Sequence, residues 1–288
     1  MLKNFLSIIY EIILRFDFLL KKIFKKSLVF NFIKFIMKNS YKEIKIKSNP
    51  VKFFCPNSLT EWRINTFFTK EPETLDWIDK FDDSKKITFW DIGANIGIYS
   101  IYAALSHKNI QIISFEPSTS NLRILSQNVS KNNLSHKINI CQIALTNQKN
   151  KFLNLNESSF EEGSALHSYG ETFNHEGNQI RFTNKYSLYG TNIDFLIENK
   201  ILETPDYIKI DVDGIEHLIL DGGRNCLSSD KIKSISLELN ENFIDQYEKS
   251  LSILSKANFK LKEKKRSSLI RVSKEFKNTY NFIFEKTK

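Results

Sequence analysis

Phe89-Trp90-Asp91-Ile92-Gly93-Ala94-Asn95-Ile96-Gly97-Ile98-Tyr99 is the stretch on which the fold turns. The apolar run from Ile87 to Trp90 reads as a strand covered on both faces, with Asp91 at its end. Gly93 and Gly97 then leave no side chain where the chain reverses into a helix beginning near Ile98. A large ligand can approach the backbone at such a turn. The dinucleotide fingerprint Gly-x-Gly-x-x-Gly is incomplete, because Asn95 replaces one required glycine. A dinucleotide seats its pyrophosphate on the helix amino terminus, whereas S-adenosylmethionine has no phosphate and presents an ammonium, a carboxylate and a sulfonium. An acid at the strand end suits that cation.

Working outward, Ile110 to Phe115 is a second apolar strand ending in Glu116-Pro117. It lies roughly 20 residues past the turn, where an acid accepts ribose hydroxyls in either cofactor. Later, Tyr207-Ile208-Lys209-Ile210 runs into Asp211-Val212-Asp213-Gly214-Ile215-Glu216 and puts three carboxylates at one sheet edge. Open α/β sheets bind ligands at that edge. Lys209 faces opposite to Ile208 and Ile210 by alternation, so it pairs with an acid under the sheet or snorkels outward.

These segments resemble the FkbM-type family of S-adenosylmethionine-dependent methyltransferases. The resemblance rests on residues 89–100, on Ser114-Phe115-Glu116-Pro117, and above all on residues 206–216, similar to a family segment Ile-Lys-Ile-Asp-Val-Glu-Gly-x-Glu. Lys70-Glu71-Pro72-Glu73-Thr74-Leu75 is also similar, and Asp213 departs from the family's more usual Glu. Roughly residues 50–245 are covered. The resemblance implies a Rossmann-like α/β fold of the class I methyltransferase type, a mixed seven-stranded sheet with helices on both faces. It implies S-adenosylmethionine as cofactor, bound by Asp91, Gly93, Asn95, Gly97, Glu116, Pro117, Ala144 and Asp211. It also implies an acceptor among glycans and secondary metabolites.

At 288 residues, 41% hydrophobic and 26% charged, the chain can bury one substantial core with an appendage. Cys55, Cys141 and Cys226 have no metal-ligand spacing, and the five histidines form no zinc pattern. A reducing, cytoplasmic compartment is expected. The net charge of +9 is unevenly spread: residues 1–47 carry +8 and residues 256–288 another +8, leaving −7 between them. An acidic centre argues against a nucleic-acid groove across the catalytic face.

Phe5, Ile9, Ile12, Phe16, Leu19, Leu20 and Ile23 fall on one side of a helix, with Arg15, Lys22 and Lys26 on the other. No uncharged run approaches the roughly 18 to 20 residues of a bilayer span. Nor is there a signal-peptide pattern, because Glu11, Arg15 and Asp17 interrupt the apolar region. Residues 3–26 are expected to lie against an anionic membrane, on its inner face, with packing on the protein's own core or a second subunit as the alternative.

Three units follow: a basic helical segment over residues 1–42, a hairpin and helical cap over 43–85, and the catalytic domain over 86–288. Within them Glu43 to Phe54 reads as a hairpin, and Thr60 to Phe68 and Glu73 to Phe81 as short helices. Strands are expected near 87–91, 111–115, 138–143, 207–211 and 232–239, with Ile270 to Val272 and Asn281 to Phe284 as an antiparallel closing pair. From Leu153 to Tyr189 the period is lost, with added strand only near Ile180 to Phe182. That stretch is expected to be a loop over the sheet edge that gates substrate.

The expected chemistry is in-line attack on the sulfonium methyl by a hydroxyl of a small or lipid-linked glycan. Near-attack positioning is worth about 7 to 11 kcal/mol, and a general base adds about 10²- to 10⁴-fold. Asp211 lies nearest the cofactor, leaving Asp213 or Glu216 as bases raised by like-charged neighbours. Glu216 could equally open the next helix as a first-turn acid. A magnesium variant would use Asp211 with Glu238 or Asn240, although no metal is assigned. A nicotinamide-dependent oxidoreductase and a non-catalytic membrane scaffold are the other readings.

Overall fold

The computed structural model describes residues 2–266, 276 and 278–287, with side chains from residue 4 onward. Two helices come first, α1 (Leu2–Phe24) and α2 (Leu28–Asn39), where a single helix was expected. A hairpin of β1 (Tyr41–Ile46) and β2 (Asn49–Phe54) turns through Lys47 and Ser48, both in the left-handed region. Next come α3 (Ser58–Asn65), opened by a capping box between Asn57 and Thr60, and α4 (Pro72–Asp79), opened by a proline.

The chain then runs through β3 (Ile87–Ile92), α5 (Ile98–Ser106), β4 (Ile110–Phe115), α6 (Thr119–Lys131) and β5 (Ile138–Cys141). A small layer follows, with β6 (Ala144–Leu145), β7 (Lys151–Glu157), β8 (Ser168–Tyr169) and β9 (Asn184–Thr191). The rest comprises α7 (Ile193–Glu198), β10 (Tyr207–Ile210), α8 (Glu216–Asp221), α9 (Arg224–Leu227), β11 (Ser234–Asn240), α10 (Ile244–Lys256), β12 (Phe259–Lys265) and β13 (Thr279–Lys286).

The main sheet has seven strands in the order β5-β4-β3-β10-β11-β13-β12. The five from β5 to β11 are parallel, and β13 runs antiparallel to both neighbours. The mixed class I architecture expected from the sequence is therefore present. The strand order reverses between β3 and β10, so their carboxyl ends form the crevice in which such sheets hold ligands.

Alternation divides the strands between two cores. Phe89, Ile112 and Tyr207 pack with α4, α5 and the hairpin, while Trp90, Phe115, Ile208, Ile210 and Leu237 pack with α8 and α10. The first core runs from Ile46 and Phe53 through Trp77 into the sheet, so hairpin, cap and sheet share one interior.

Two expectations are corrected. The stretch from Leu153 to Tyr189 is not one continuous loop: parts of it form β7, β8 and β9, which join β6 in a second, four-stranded sheet, with β9 starting at Asn184 and not near Ile180. Its polar residues misled the reading because several are buried and bonded, as with Asn156 donating to the Glu171 carbonyl and Glu157 accepting from Tyr186. In addition, β13 closes the sheet with β12 (Phe259–Lys265), and Ile270 to Val272 lie outside the described residues.

Candidate active site

The turn after β3 is held in the left-handed region at Gly93, Asn95 and Gly97, with φ of 83°, 50° and 88°. A Cβ at Gly93 would sit 1.9 Å from the Asp211 carbonyl oxygen, so glycine is required by its neighbour as well as by its conformation. Asparagine tolerates the same region, which is how the turn manages with Asn95 where the dinucleotide pattern has glycine. The Asn95 side chain also donates to the Ser164 carbonyl at 2.7 Å.

A pocket opens at this crevice, and Gly93, Asn95, Glu116, Pro117, Ala144 and Asp211 all line it. Six of the eight positions assigned to the cofactor thus come together. Glu116 is fixed by backbone N–H groups, from Asn95 to one oxygen at 2.7 Å and from Ser118 to the other at 2.8 Å. Each oxygen keeps a lone pair for a diol. Burial pushes its carboxyl up to about 8 despite those donors. Two buried atoms of the lining residues, Asn95 Oδ1 and His167 Nε2, have no hydrogen-bond partner among the described residues. Ligand polar groups would satisfy such orphans.

Two assigned positions lie elsewhere. Asp91 is fully buried behind the turn, accepting from Ser100 Oγ at 2.5 Å, and Ser100 in turn meets Ser114 at 2.7 Å. Gly97 packs against α6, where a Cβ would meet Leu125 Cδ1 at 2.5 Å and displace that side chain. Neither residue is among those lining the pocket.

Beside this pocket lies a larger cleft, sharing Gly93, Asn95, Ser164, Asp211 and Asp213 with it. Its outer wall is α3, through Leu59, Trp62 and Arg63, together with Lys70 and Tyr99. The segment before β8 reaches the same edge and is pinned there. Arg63 Nε donates to the Gly163 carbonyl at 2.6 Å, Asn121 accepts from Gly163 N–H at 2.8 Å, and Asp213 accepts from Leu166 N–H at 2.7 Å.

The cleft floor is a charge cluster. One carboxylate oxygen each from Glu71, Asp211 and Glu238 fall within 4.8 Å of one another. Lys209 is 2% exposed; its ammonium bonds Asp211 at 2.7 Å and lies 4.7 Å from the centre of the Tyr99 ring. It pairs with an acid, the first of the two roles open to it. Lys70 bonds Glu71 at 2.5 Å, and Tyr99 donates to the same carboxylate at 2.6 Å. Burial opposes the charge on Glu71, yet Lys70 and Lys209 outweigh it and hold the group at about 2. Two of the three carboxylates are thereby matched with two ammoniums; of the magnesium pairs considered, Asp211 with Glu238 comes together here, with Glu71 as a third oxygen donor that could join a cation, and Asp211 with Asn240 does not. Asn240 turns away, accepting from Asn242 N–H at 3.0 Å.

Glu238 is the third carboxylate. It lines the cleft, and among the described residues no hydrogen bond or ion pair is recorded for it. Burial, then Asp211 and Glu71, raise its carboxyl well above the usual range. Of the expected catalytic acids, Asp211 and Asp213 line both cavities, and Asp213 is raised by burial and by Asp211. Glu216 lines neither: it is 1% exposed and accepts from Val212 and Gly214 N–H and from Gln246 Nε2. It opens α8 as the first-turn acid, the second of the roles weighed for it.

Sequence reasoning missed Glu71, Arg63 and Tyr99. The signal for Glu71 was present in Lys70-Glu71-Pro72, an acid ahead of a helix-opening proline with no side-chain capping bond of its own.

The profile of the methyltransferase FkbM domain matches residues 91–261. No curated protein sequence matches the chain. Among solved structures, methyltransferase FkbM from Methylobacillus flagellatus KT is 17% identical over 71% of this chain, with a TM-score of 0.46; this chain spans 44% of that protein's length. TrmK of M. capricolum, solved in complex with the natural cofactor product S-adenosylhomocysteine, is 16% identical over 74% of this chain and 68% of its own, with a TM-score of 0.42. An rRNA methylase from Streptococcus thermophilus is 13% identical over 75% and 95% respectively, with a TM-score of 0.45.

Proposed function

The chain belongs to the FkbM methyltransferase family, with S-adenosylmethionine as cofactor, and on that premise we propose that it methylates a hydroxyl of a sugar or similarly polar metabolite, free or lipid-linked, at the inner face of a membrane. The observation that carries the reading is the unpartnered Glu238 at the floor of the cleft that adjoins the cofactor pocket.

S-adenosylmethionine supplies a methyl group activated by a positive sulfur. In this reading Glu116 would accept both ribose hydroxyls, and Asp211 would attract the ammonium. Trp62 and Phe67 offer apolar surface to the carbon face of a sugar ring, while Arg63 and Lys70 offer donors to its oxygens. Lys209 engages one oxygen of Asp211 and Leu166 N–H one of Asp213, so among the described residues Glu238 is the acid of the three with both oxygens free. In this reading a carboxylate oxygen of Glu238 would take the proton of the acceptor hydroxyl as that oxygen attacks, the bound cofactor supplying the activated methyl group and its sulfur the leaving group.

Calorimetric titration with S-adenosylmethionine, S-adenosylhomocysteine and NAD tests the foundation. Both sulfur compounds should bind and NAD should not, with binding weakened in Glu116→Ala. Binding of NAD alone would overturn the reading in favour of an oxidoreductase.

A further inference from the structure

We infer that α1 and α2 together form a two-helix docking unit that lies in the interface of an anionic membrane, with Asp17 as the clasp between them. This deepens the proposed function by naming the surface through which the enzyme meets the bilayer, and it draws in α2, which the first 26 residues do not contain.

Almost nothing in the protein covers these helices. Among the described residues the only buried side chain in the pair is that of Asp17, and α2 has none. Ile23 is 71% exposed, Phe30 68%, and Phe32 and Phe35 64% each. Soluble monomers rarely expose apolar patches beyond a few hundred Å² unless the patch binds something. Meanwhile the protein's own cores are complete without the pair, which adds only the partly buried Met37 to their edge.

Both helices are two-sided. In α1, Phe5, Ile9, Ile12, Phe16 and Ile23 share one side at 100° per residue, opposite Lys21, with Lys25 just past the helix end and Arg15 and Lys22 on its flank. Phe18 falls among the cations, and the Lys22 ammonium lies 4.9 Å from its ring centre. In α2, Phe32, Ile33 and Ile36 lie opposite Lys34 and Lys38. Neither helix is long and apolar enough to cross a bilayer. An apolar face backed by lysines is the pattern of a helix lying in the headgroup region.

Charge selects lipid over a second copy. Residues 2–39 carry a net charge of +6, which would repel its own image across a dimer and is attracted by anionic headgroups. Asp17 does not oppose this, because its charge is already engaged. One oxygen accepts from Leu28 and Val29 N–H at 2.7 and 3.1 Å, and the other from Ser27 Oγ at 2.6 Å. The acid of one helix thus caps the amino terminus of the other and fixes their angle.

The test is flotation of the full-length protein with phosphatidylcholine vesicles and with phosphatidylcholine–phosphatidylglycerol vesicles, alongside sedimentation without lipid and calorimetry with S-adenosylmethionine. The protein should float with the anionic vesicles only and be released by high salt. Combining Phe16→Asp with Phe32→Asp should leave it in the soluble fraction while cofactor binding persists. Lys21→Gln with Lys22→Gln should weaken binding about fivefold per lysine. Failure of the unmodified, cofactor-binding protein to float overturns the inference, as does unchanged flotation of the phenylalanine variant. A lipid-free dimer dissolved by that variant, without vesicle binding, would make the face a self-association surface instead. Flotation without cofactor binding would sink the methyltransferase reading and leave the docking unit standing.

Discussion

Glu216 and Glu238 stand one strand apart at the same sheet edge, and both are raised by burial and by neighbouring carboxylates, Glu216 to about 8 and Glu238 well above the usual range. Their surroundings differ in kind. Glu216 has three donors from its own turn and from Gln246, whereas Glu238 faces the cleft with none recorded among the described residues. A shifted carboxyl is therefore a poor guide to chemistry by itself. What separates a group that could take a proton from one that holds a turn is whether its oxygens are already in use.

The contrast can be broken most directly at Glu238. Glu238→Gln should lower kcat by about 10²- to 10⁴-fold while leaving the calorimetric affinity for S-adenosylmethionine and the urea midpoint unchanged. Because the carboxyl must lose its proton before it can accept one, wild-type kcat should rise with pH through its raised pKa. Asp211, Asp213 and Glu71 push that value up and Lys70 draws it down. An unaltered kcat in the variant would erase the distinction.

Glu216→Leu probes the other side. It strands three donors, so stability should fall by about 1–3 kcal/mol, read as a lower urea midpoint at unchanged m, with cofactor affinity retained wherever the protein is folded. Its linkage has a definite sign. A carboxyl raised to about 8 on folding contributes stability fully present below its ordinary unfolded pKa and lost as pH rises through 8. That slope should vanish in the variant.

Glu116 sharpens the comparison with an intermediate case, engaged by two backbone donors yet lining the cofactor pocket. If the ionised form accepts the ribose hydroxyls, affinity should improve by about tenfold per pH unit until about 8 and then level off, a dependence absent from Glu116→Gln.

The sheet and cofactor pocket were legible because strand ends write themselves into sequence. A buried parallel strand is an apolar run, and the residue that ends it is conspicuous, as at Gly93, Glu116 and Asp211. Asp91 looked equally conspicuous but is directed into Ser100, a choice of side-chain orientation that spacing does not encode. The same limit hid the parting of Glu216 from Glu238. The sheet of β7 to β9 was obscured by buried polar residues whose partners lie across the sheet, and Glu71 by partners brought in from α5 and β10. Such groups are identified by what they meet, and apart from Lys70 beside Glu71 their partners are remote in the chain.

The absent side chain at Gly93 has a further consequence. With the Asp211 carbonyl where a Cβ would be, the cofactor turn and the acidic loop move as one joint. A displacement at residue 93 would be passed to Asp211 and, through Lys209, to the neighbourhood of Glu71. Evolution or an engineer could not readily retune the grip on the cofactor here without also disturbing the acceptor's floor. Change of acceptor has an easier route through α3, whose Leu59, Trp62 and Arg63 form the opposite wall and can be exchanged without straining that joint.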